Sequence, residues 1–229
     1  MLNLHGYGPS IIEGTILSLE VSLASLFIAM FLGIFGALSK LSSSRPLQLA
    51  AQVYTTVIRG IPDLVLMLLV FFGGQVFINQ IGPLVGYDEY IDINPFIAGV
   101  STIGFIFGAY MTETFRGAIL AVHKGQIEAG SAYGMSRLLI FRRITLPLMV
   151  RHALPGFGNN WLVLIKTTAL VSIIGLDDMV RKAGLAAGAT RKPFTFYLVV
   201  AINYLIITSV SIYLLKYLER RYSVGVREV

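Results

Sequence analysis

The 229-residue chain contains no cysteine and only 13% charged residues, whereas 55% of its residues are hydrophobic. The absence of cysteine excludes disulfides and cysteine-ligated metal sites, and the three scattered histidines offer no metal cluster. Residues 1–10 contain no Lys or Arg, so they lack the basic region of a cleavable signal peptide. We therefore expect the first apolar segment to stay in the mature protein. Because an average soluble domain carries roughly 25% charged residues, this composition belongs in a bilayer.

The chain also lacks the motifs of catalysis and nucleotide binding. It contains no Gly-x-Ser-x-Gly elbow, no His-Glu-x-x-His zinc motif and no Gly-x-x-x-x-Gly-Lys-Ser/Thr phosphate loop. We therefore expect no catalytic residue, no cofactor site and no metal site in this chain. Any ATP-driven process needs a partner that binds and hydrolyses the ATP.

Five apolar segments are long enough to cross a bilayer, which takes about 20 helical residues. They cover residues 12–38, 52–79, 95–119, 152–175 and 195–217. The sequence therefore predicts an all-α integral membrane protein with five transmembrane helices, built as a single domain over residues 1–229.

The positions of Lys and Arg predict how these spans are oriented. Eleven of the 18 bases lie on one side: Lys40, Arg45, Lys124, Arg137, Arg142, Arg143, Arg151, Lys216, Arg220, Arg221 and Arg227. The positive-inside rule places that side in the cytoplasm, with the N-terminus outside and residues 120–151 and the tail inside. Residues 80–94, with Asp88, Glu89 and Asp92 but no base, then lie outside. Because the bases flank apolar spans without a nucleic-acid-binding module, the net charge of +6 does not indicate nucleic acid.

One predicted outside loop opposes this rule. Residues 176–194 carry Arg181, Lys182, Arg191 and Lys192. These bases either lie on a solvated helix at the membrane interface or form a contact for an acidic extracytoplasmic partner. Eleven bases against four still favour the predicted topology, because the rule is a bias.

A polar, basic segment at residues 128–147 interrupts the apolar sequence. Its characteristic residues are Glu128, Ala129, Gly134, Ile144, Leu146 and Pro147. The pattern predicts a short helix, a glycine turn and a second helix that ends at a proline, protruding towards a pocket on a soluble partner. The spacing resembles the EAA coupling loop of ABC importer permeases, which contacts the ATPase subunit.

Two residues of the first coupling helix have specific expectations. Gly130 stands where the EAA motif has alanine, and glycine costs about 1 kcal/mol in a helix interior. We therefore expect this helix to be shorter or softer than in its relatives. Glu128 near the helix start is favoured by the helix dipole and suits a basic group on the partner.

Ionisable side chains inside the predicted spans are costly and are therefore candidates for function. They are Glu20, Arg59, Asp63, Glu113, Arg116 and Lys166. Three of them are carboxylates in three different spans, which suits a cavity for a cationic ligand. Thr168 is a further polar candidate near the end of the fourth span.

The run Arg59-Gly60-Ile61-Pro62-Asp63 predicts a break in the second span, because proline removes a helix hydrogen bond. Counted from residue 52, the break lies about 15 Å into the bilayer, where transporters place substrates beside discontinuous helices. Asp63 either contacts substrate or begins a half-helix, paired with Arg59.

A similar choice applies to the third span. Glu113 either pairs with Arg116, three residues along the same helix, or contributes to a substrate site.

Several runs resemble the polar amino acid permease family of ABC importers, over about residues 10–225. They are Arg59-Gly60-Ile61-Pro62, Gly108-Ala109-Tyr110, Lys124-Gly125-Gln126-Ile127-Glu128-Ala129 and Leu154-Pro155-Gly156. Residues 54–69 and 218–226 are similar to the Q-type permeases of histidine, lysine, arginine and ornithine systems. The resemblance implies the type I importer fold, a bacterial inner-membrane location and alternating access driven by separate ATPases.

The resemblance also implies partners and a substrate class. It implies a homologous second permease, identical or different, two ATPases that bind ATP and Mg, and a periplasmic amino-acid-binding protein. Asp63 stands where many relatives carry an apolar residue, which points to a cationic amino acid such as arginine, ornithine, lysine or histidine. A different polar substrate such as glutamine is the alternative. A passive channel or a membrane enzyme is less consistent, because the sequence has no filter, charged ring or nucleophile–base pair.

Overall fold

The computed structural model describes residues 4–86 and 89–222, and these residues contain helices and turns but no strand. The architecture confirms the predicted all-α class. Asp88, Arg227 and the tail from residue 223, which the sequence interpretation used, lie outside the described residues.

Ten α-helices follow one another in the described chain. They are α1 (Gly8–Leu41), α2 (Arg45–Gly60), α3 (Asp63–Leu68), α4 (Gly74–Ile81), α5 (Pro95–Leu120), α6 (Lys124–Ala132), α7 (Arg137–Ile140), α8 (Leu146–Thr167), α9 (Met179–Thr190) and α10 (Pro193–Tyr222). Short π-helical segments at Leu69–Gly73 and Phe141–Thr145 and 3₁₀ segments at Gly82–Val85 and Thr168–Ser172 extend four of these helices.

Helices α1 and α5 form the centre of the hydrophobic core. Their backbones approach so closely that a Cβ added to Gly33 would lie 2.5 Å from the Cβ of Met111. A Cβ added to Gly36 would lie 2.2 Å from the hydroxyl oxygen of Thr112. Small residues join helices in lipid by this kind of approach, since water supplies no driving force there.

Four helical stretches of the described chain are long and apolar enough to cross a bilayer: Gly8–Leu41, Asp63–Leu84, Pro95–Leu120 and Pro193–Tyr222. Helix α8, which covers most of the predicted span at 152–175, is long enough but does not reach the same hydropathy. Its polar residues His152, Asn159, Asn160 and Lys166 lower it. The count of five spans therefore stays a prediction.

The second predicted span, 52–79, begins too early. The helix ends at Gly60, the chain is extended at Ile61, and α3 begins after Pro62, so the predicted break is confirmed. The membrane-length apolar stretch starts only at Asp63. Helix α2 is instead amphipathic, and Tyr54 fixes it to α5 by donating a hydrogen bond of 2.5 Å to the carbonyl of Phe105. The depth counted from residue 52 therefore does not apply to Asp63.

Pro147 does not end a helix, contrary to the prediction. Residues 137–167 run as one helical rod through α7, the π-helical segment Phe141–Thr145 and α8, with right-handed helical angles at both junctions. Proline lacks an N–H and its ring collides with the carbonyl four residues earlier. The wider π turn directly before α8 coincides with this position and accommodates Pro147 within the rod.

Helix α9 explains most of the bases that opposed the positive-inside rule. The guanidinium of Arg181 pairs with Asp177 at 2.9 Å, and Lys182 pairs with Glu13 of α1 at 2.7 Å. The Lys192 ammonium lies 3.0 Å from the Nε2 atom of His5. These contacts favour the solvated-helix interpretation, because three of the four bases already have partners in the chain.

Asp178 begins α9 and is fully buried. Its carboxylate accepts a hydrogen bond of 2.9 Å from the Arg181 backbone N–H. Burial raises the pKa of Asp178 from 3.8 to about 6. Hydrogen bonds from the backbone of Val180 and Arg181 partly offset this rise. The next residue, Met179, donates its N–H to the Ser18 hydroxyl of α1, so this buried start ties α9 to α1.

Candidate functional site: a protruding helix pair and a charged cavity

Helices α6 and α7 are joined by a turn at Gly134, which has φ of 75°. The N–H of Met135 donates to the carbonyl of Gly130 at 3.1 Å, and the N–H of Gly134 donates to Ser131 at 3.0 Å. This pair of bonds is a Schellman motif, in which a left-handed residue ends a helix and glycine avoids the Cβ strain. The glycine turn predicted from the sequence is therefore present.

The tip of this pair presents uncovered apolar surface. Tyr133 is 86% exposed and Leu138 is 76% exposed. Glu128 and Ala129 are exposed on α6. We call residues 124–145 the coupling segment. Large exposed apolar side chains on a protruding element are typical of a surface that a partner covers.

The other predicted coupling residues are Ile144, Leu146 and Pro147. The side chain of Ile144 packs beside Gly130, where an added Cβ would lie 2.8 Å from its Cδ1 atom. Leu146 lines an apolar groove shared by α1, α5 and α8. Pro147 lies in the first turn of α8. Ile144 therefore packs against α6, whereas Leu146 and Pro147 are exposed.

Of the two expectations for α6, the one for Gly130 stays a prediction and the one for Glu128 is wrong. The helix continues past Gly130 to Ala132, and Ile140 and Ile144 occupy the space that an alanine methyl would take at Gly130. Glu128 lies in the second turn, outside the first turn where the helix dipole acts most strongly.

A cavity of about 440 Å³ lies between α1, α2 and α5. Its lining is polar, with three bases and one acid: Lys40, Gln52, Thr55, Thr56, Arg59, Gly60, Tyr110, Glu113 and Arg116. We call it the charged cavity.

Glu113 is the acidic centre of the charged cavity. It forms a short ion pair with Lys40 of α1 and a 2.9 Å ion pair with Arg116. The Lys40 side chain is only 8% exposed, so this contact neutralises a nearly buried cation. The predicted Glu113–Arg116 pair is present, but two cations already occupy Glu113. Its charge is therefore not free to select a cationic ligand.

Arg59 and Asp63 lie on either side of the break between α2 and α3. The expected pair between them is absent from the described residues, where no contact within 4 Å joins the two charges. The Arg59 guanidinium instead lies 5.4 Å from the ring centroid of Tyr110, in cation–π geometry. The charges of Arg59 and Asp63 both interact with Tyr110, which lines the charged cavity. Asp63 therefore lies beside this cavity. Its carboxylate has no ion-pair partner among residues 4–86 and 89–222.

Glu20 and Thr168 do not join this site. Glu20 is exposed on α1, roughly 30 Å along the helix from Lys40 at 1.5 Å per residue. Thr168 is fully buried and donates its hydroxyl to the carbonyl of Ile165 at 2.7 Å. The idea that three carboxylates share one cavity is therefore wrong, because helix rotation directs Glu20 away.

The sequence interpretation missed Lys40, Gln52 and Tyr110. A usable signal was present: Gln48, Gln52 and Arg59 recur at helical spacing and form the polar stripe of α2. Treating residues 52–60 as part of an apolar span concealed this stripe.

An all-helical membrane bundle with a protruding helix pair and a polar cavity defines a transport permease. The chain belongs to the family of binding-protein-dependent transport system inner membrane components, whose model matches residues 29–224. It is 50% identical to the histidine/lysine/arginine/ornithine transport system permease protein HisQ of Escherichia coli strain K12, over 98% of both chains. It is 44% identical to the octopine permease OccQ of Rhizobium radiobacter, over 94% of this chain and 91% of that one.

Solved structures agree with this assignment. The crystal structure of an amino acid ABC transporter with histidines matches with a TM-score of 0.81 and 35% identity, covering 94% of this chain and 95% of that chain. The inward-facing MetNI methionine ABC transporter matches with a TM-score of 0.66 at 16% identity, over 94% of this chain and 95% of that one, which supports the fold.

Proposed function

We propose that the protein imports cationic amino acids as the permease subunit of an ATP-driven transporter. The observation that carries the proposal is a carboxylate, Asp63, with no ion-pair partner among the described residues, in a chain that resembles a histidine/lysine/arginine/ornithine permease along nearly its full length. Asp63 receives the cationic side chain, and Arg59 receives the α-carboxylate. A charge-assisted pair away from water contributes to selection when both charges are matched.

The energy for transport comes from partner subunits in this proposal. Two ATPases bind ATP and Mg, and the permease itself catalyses no reaction. The exposed tip of the coupling segment, with Tyr133 and Leu138, inserts into a pocket on each ATPase. A second homologous permease, identical or different, completes the pathway, and a periplasmic binding protein delivers the amino acid.

The proposed orientation has the N-terminus outside and the coupling segment and tail in the cytoplasm. The chain has no cysteine, so single cysteines are introduced without a background. In Tyr90→Cys, Met135→Cys and Gly225→Cys, an impermeant thiol reagent added outside intact cells should label only position 90. Labelling of position 135 from outside would reverse the proposed topology.

Asp63→Asn tests the substrate site. The change keeps the shape but removes the charge, and a hydrogen bond to a charged group is worth about 1.5–3 kcal/mol, so we expect arginine uptake to fall roughly tenfold or more. ATPase activity of the purified complex in detergent should stay within about twofold of wild type. Asp177→Asn, which removes an exposed carboxylate outside the cavity, is the control and should transport normally.

Two outcomes contradict the substrate role of Asp63. One is arginine uptake at the wild-type rate in Asp63→Asn proteoliposomes. The other is a variant that fails only because it no longer folds, which would make Asp63 a helix-start residue alone.

A further inference from the structure

A basic pocket of about 550 Å³ lies between α8 and the last turns of α10. Its charged and titratable lining consists of Arg151, His152, Lys216, Glu219 and Arg220. We call it the α8–α10 pocket. It is separate from the charged cavity, with which it shares no lining residue.

The α8–α10 pocket carries an excess of positive charge. Its three permanent cations face a single carboxylate in the lining. Within residues 4–86 and 89–222, no carboxylate lies within 4 Å of the Arg151, Lys216 or Arg220 charges. The charged cavity differs, because Glu113 there forms ion pairs with two of its cations. Uncompensated cations around one cavity favour an anionic ligand.

The pocket also lies at the depth of lipid headgroups. Lys216 is roughly 35 Å along α10 from its first residue, just beyond the roughly 30 Å thickness of a hydrocarbon core. One turn earlier on the same face, Ile212 is 39% exposed and Tyr213 is 75% exposed. An apolar strip with an interfacial tyrosine therefore leads directly to the cations. A free anion would use the cations alone, whereas a phospholipid uses both features.

We propose that the α8–α10 pocket binds the phosphate of an anionic phospholipid, whose acyl chains lie along α10 over Ile212 and Tyr213. Arg151 and Arg220 supply the fork geometry that suits phosphate oxygens, and Lys216 supplies a point charge. Basic pockets between transmembrane helices are known to suit such headgroups. The proposal does not depend on which amino acid the protein transports.

Native mass spectrometry of the complete transporter, titrated with phosphatidylglycerol or with phosphatidylcholine of the same acyl chains, tests this site. Wild type should bind phosphatidylglycerol more tightly. Each base near a membrane contributes about 1 kcal/mol, so Lys216→Gln/Arg220→Gln should weaken phosphatidylglycerol binding roughly tenfold or more. The control Arg45→Gln/Arg191→Gln removes two exposed bases elsewhere and should stay within about twofold of wild type.

Several results would overturn the proposal. They are equal affinity for the two lipids, an unchanged affinity in Lys216→Gln/Arg220→Gln, and competition by inorganic phosphate at millimolar concentration, which would indicate a free-anion site. Loss of the ATPase subunits at unchanged lipid affinity would indicate a protein contact instead. If the double variant does not fold, Lys216→Gln and Arg220→Gln are measured singly, and each should weaken binding roughly fivefold.

Discussion

The α1–α5 interface and the coupling segment use opposite side chains for contact. Between α1 and α5, glycines such as Gly33 and Gly36 remove side-chain volume so that two backbones meet. The coupling segment instead presents Tyr133 and Leu138 with nothing from the described chain covering them. The first surface is buried within the subunit, whereas a partner covers the second in the proposed function.

This difference separates folding from assembly in the one chain. A contact made by glycine against backbone has no space for change, so a substitution there damages the subunit itself. A surface of exposed aromatic and aliphatic side chains is built for burial by another protein, so a substitution there leaves the subunit folded. Three variants test this distinction.

Gly33→Val should have the largest effect. An added Cβ meets both the Met111 Cβ at 2.5 Å and the Met111 backbone carbonyl carbon at 3.1 Å, and the backbone atom cannot move aside locally. We expect a loss of about 3 kcal/mol or more in stability, with little folded permease recovered after detergent extraction.

Gly117→Val is the matched control for Gly33→Val. Gly117 lies on α5, the other helix of this pair, but an added Cβ there has no neighbouring atom within 4 Å. Thermal denaturation followed by size-exclusion chromatography should give a midpoint close to wild type. Equal thermal midpoints for Gly33→Val and Gly117→Val would contradict the role of Gly33 in packing α1 against α5.

Gly134→Asp should break assembly without breaking the fold. The residue is exposed with open space around it, and at its φ of 75° an aspartate costs about 1–2 kcal/mol of backbone strain, which is less than the fold as a whole loses on unfolding. A carboxylate buried without a partner in the ATPase pocket costs about 3–5 kcal/mol, so transport should fall more than roughly a hundredfold and the ATPase should detach. Co-purification and uptake measure the two effects.

Gly86→Asp provides the control for Gly134→Asp. Gly86 has φ of 84° and likewise has nothing near an added Cβ, but it lies in the loop before α5. It should keep its ATPase. Normal transport by Gly134→Asp would mean that the coupling segment is not the contact.

Asp178 tests the packing inside the subunit through the pH dependence of its stability. Burial raises its pKa from 3.8 to about 6, so between these values the folded protein holds a proton that the unfolded chain releases. Stability therefore falls as pH rises from about 4 to about 6 and then levels off, by up to about 3 kcal/mol. Asp178→Asn should remove this step from thermal melts recorded between pH 4 and 8. The exposed neighbour changed in Asp177→Asn should keep it, and an unchanged step in Asp178→Asn would contradict the assignment.

The sequence was sufficient for features that depend on local chemistry. The helix break at Pro62 and the turn at Gly134 follow from what proline and glycine do to a backbone. Features that depend on packing were not accessible. The wide turn that accommodates Pro147 and the outward rotation of Glu20 depend on how neighbouring helices settle. The Lys40–Glu113 contact joins residues on different helices, and helical periodicity within one segment carries no information about such pairs.

The continuous helix from Arg137 to Thr167 has the shape of a lever. It is held closely about two thirds of the way along, where Gly156 meets Thr114 of α5 and Gly158 meets Leu215 of α10. From this fulcrum the arm to the coupling tip is roughly 30 Å long and the arm to Thr167 roughly 15 Å, at 1.5 Å per residue. A rigid tilt that moves the tip by about 2 Å therefore swings Thr167 by about 1 Å in the opposite direction. A rigid helix thus converts a displacement of the coupling tip into half that displacement at Thr167, in the opposite direction. The force at Thr167 is correspondingly doubled.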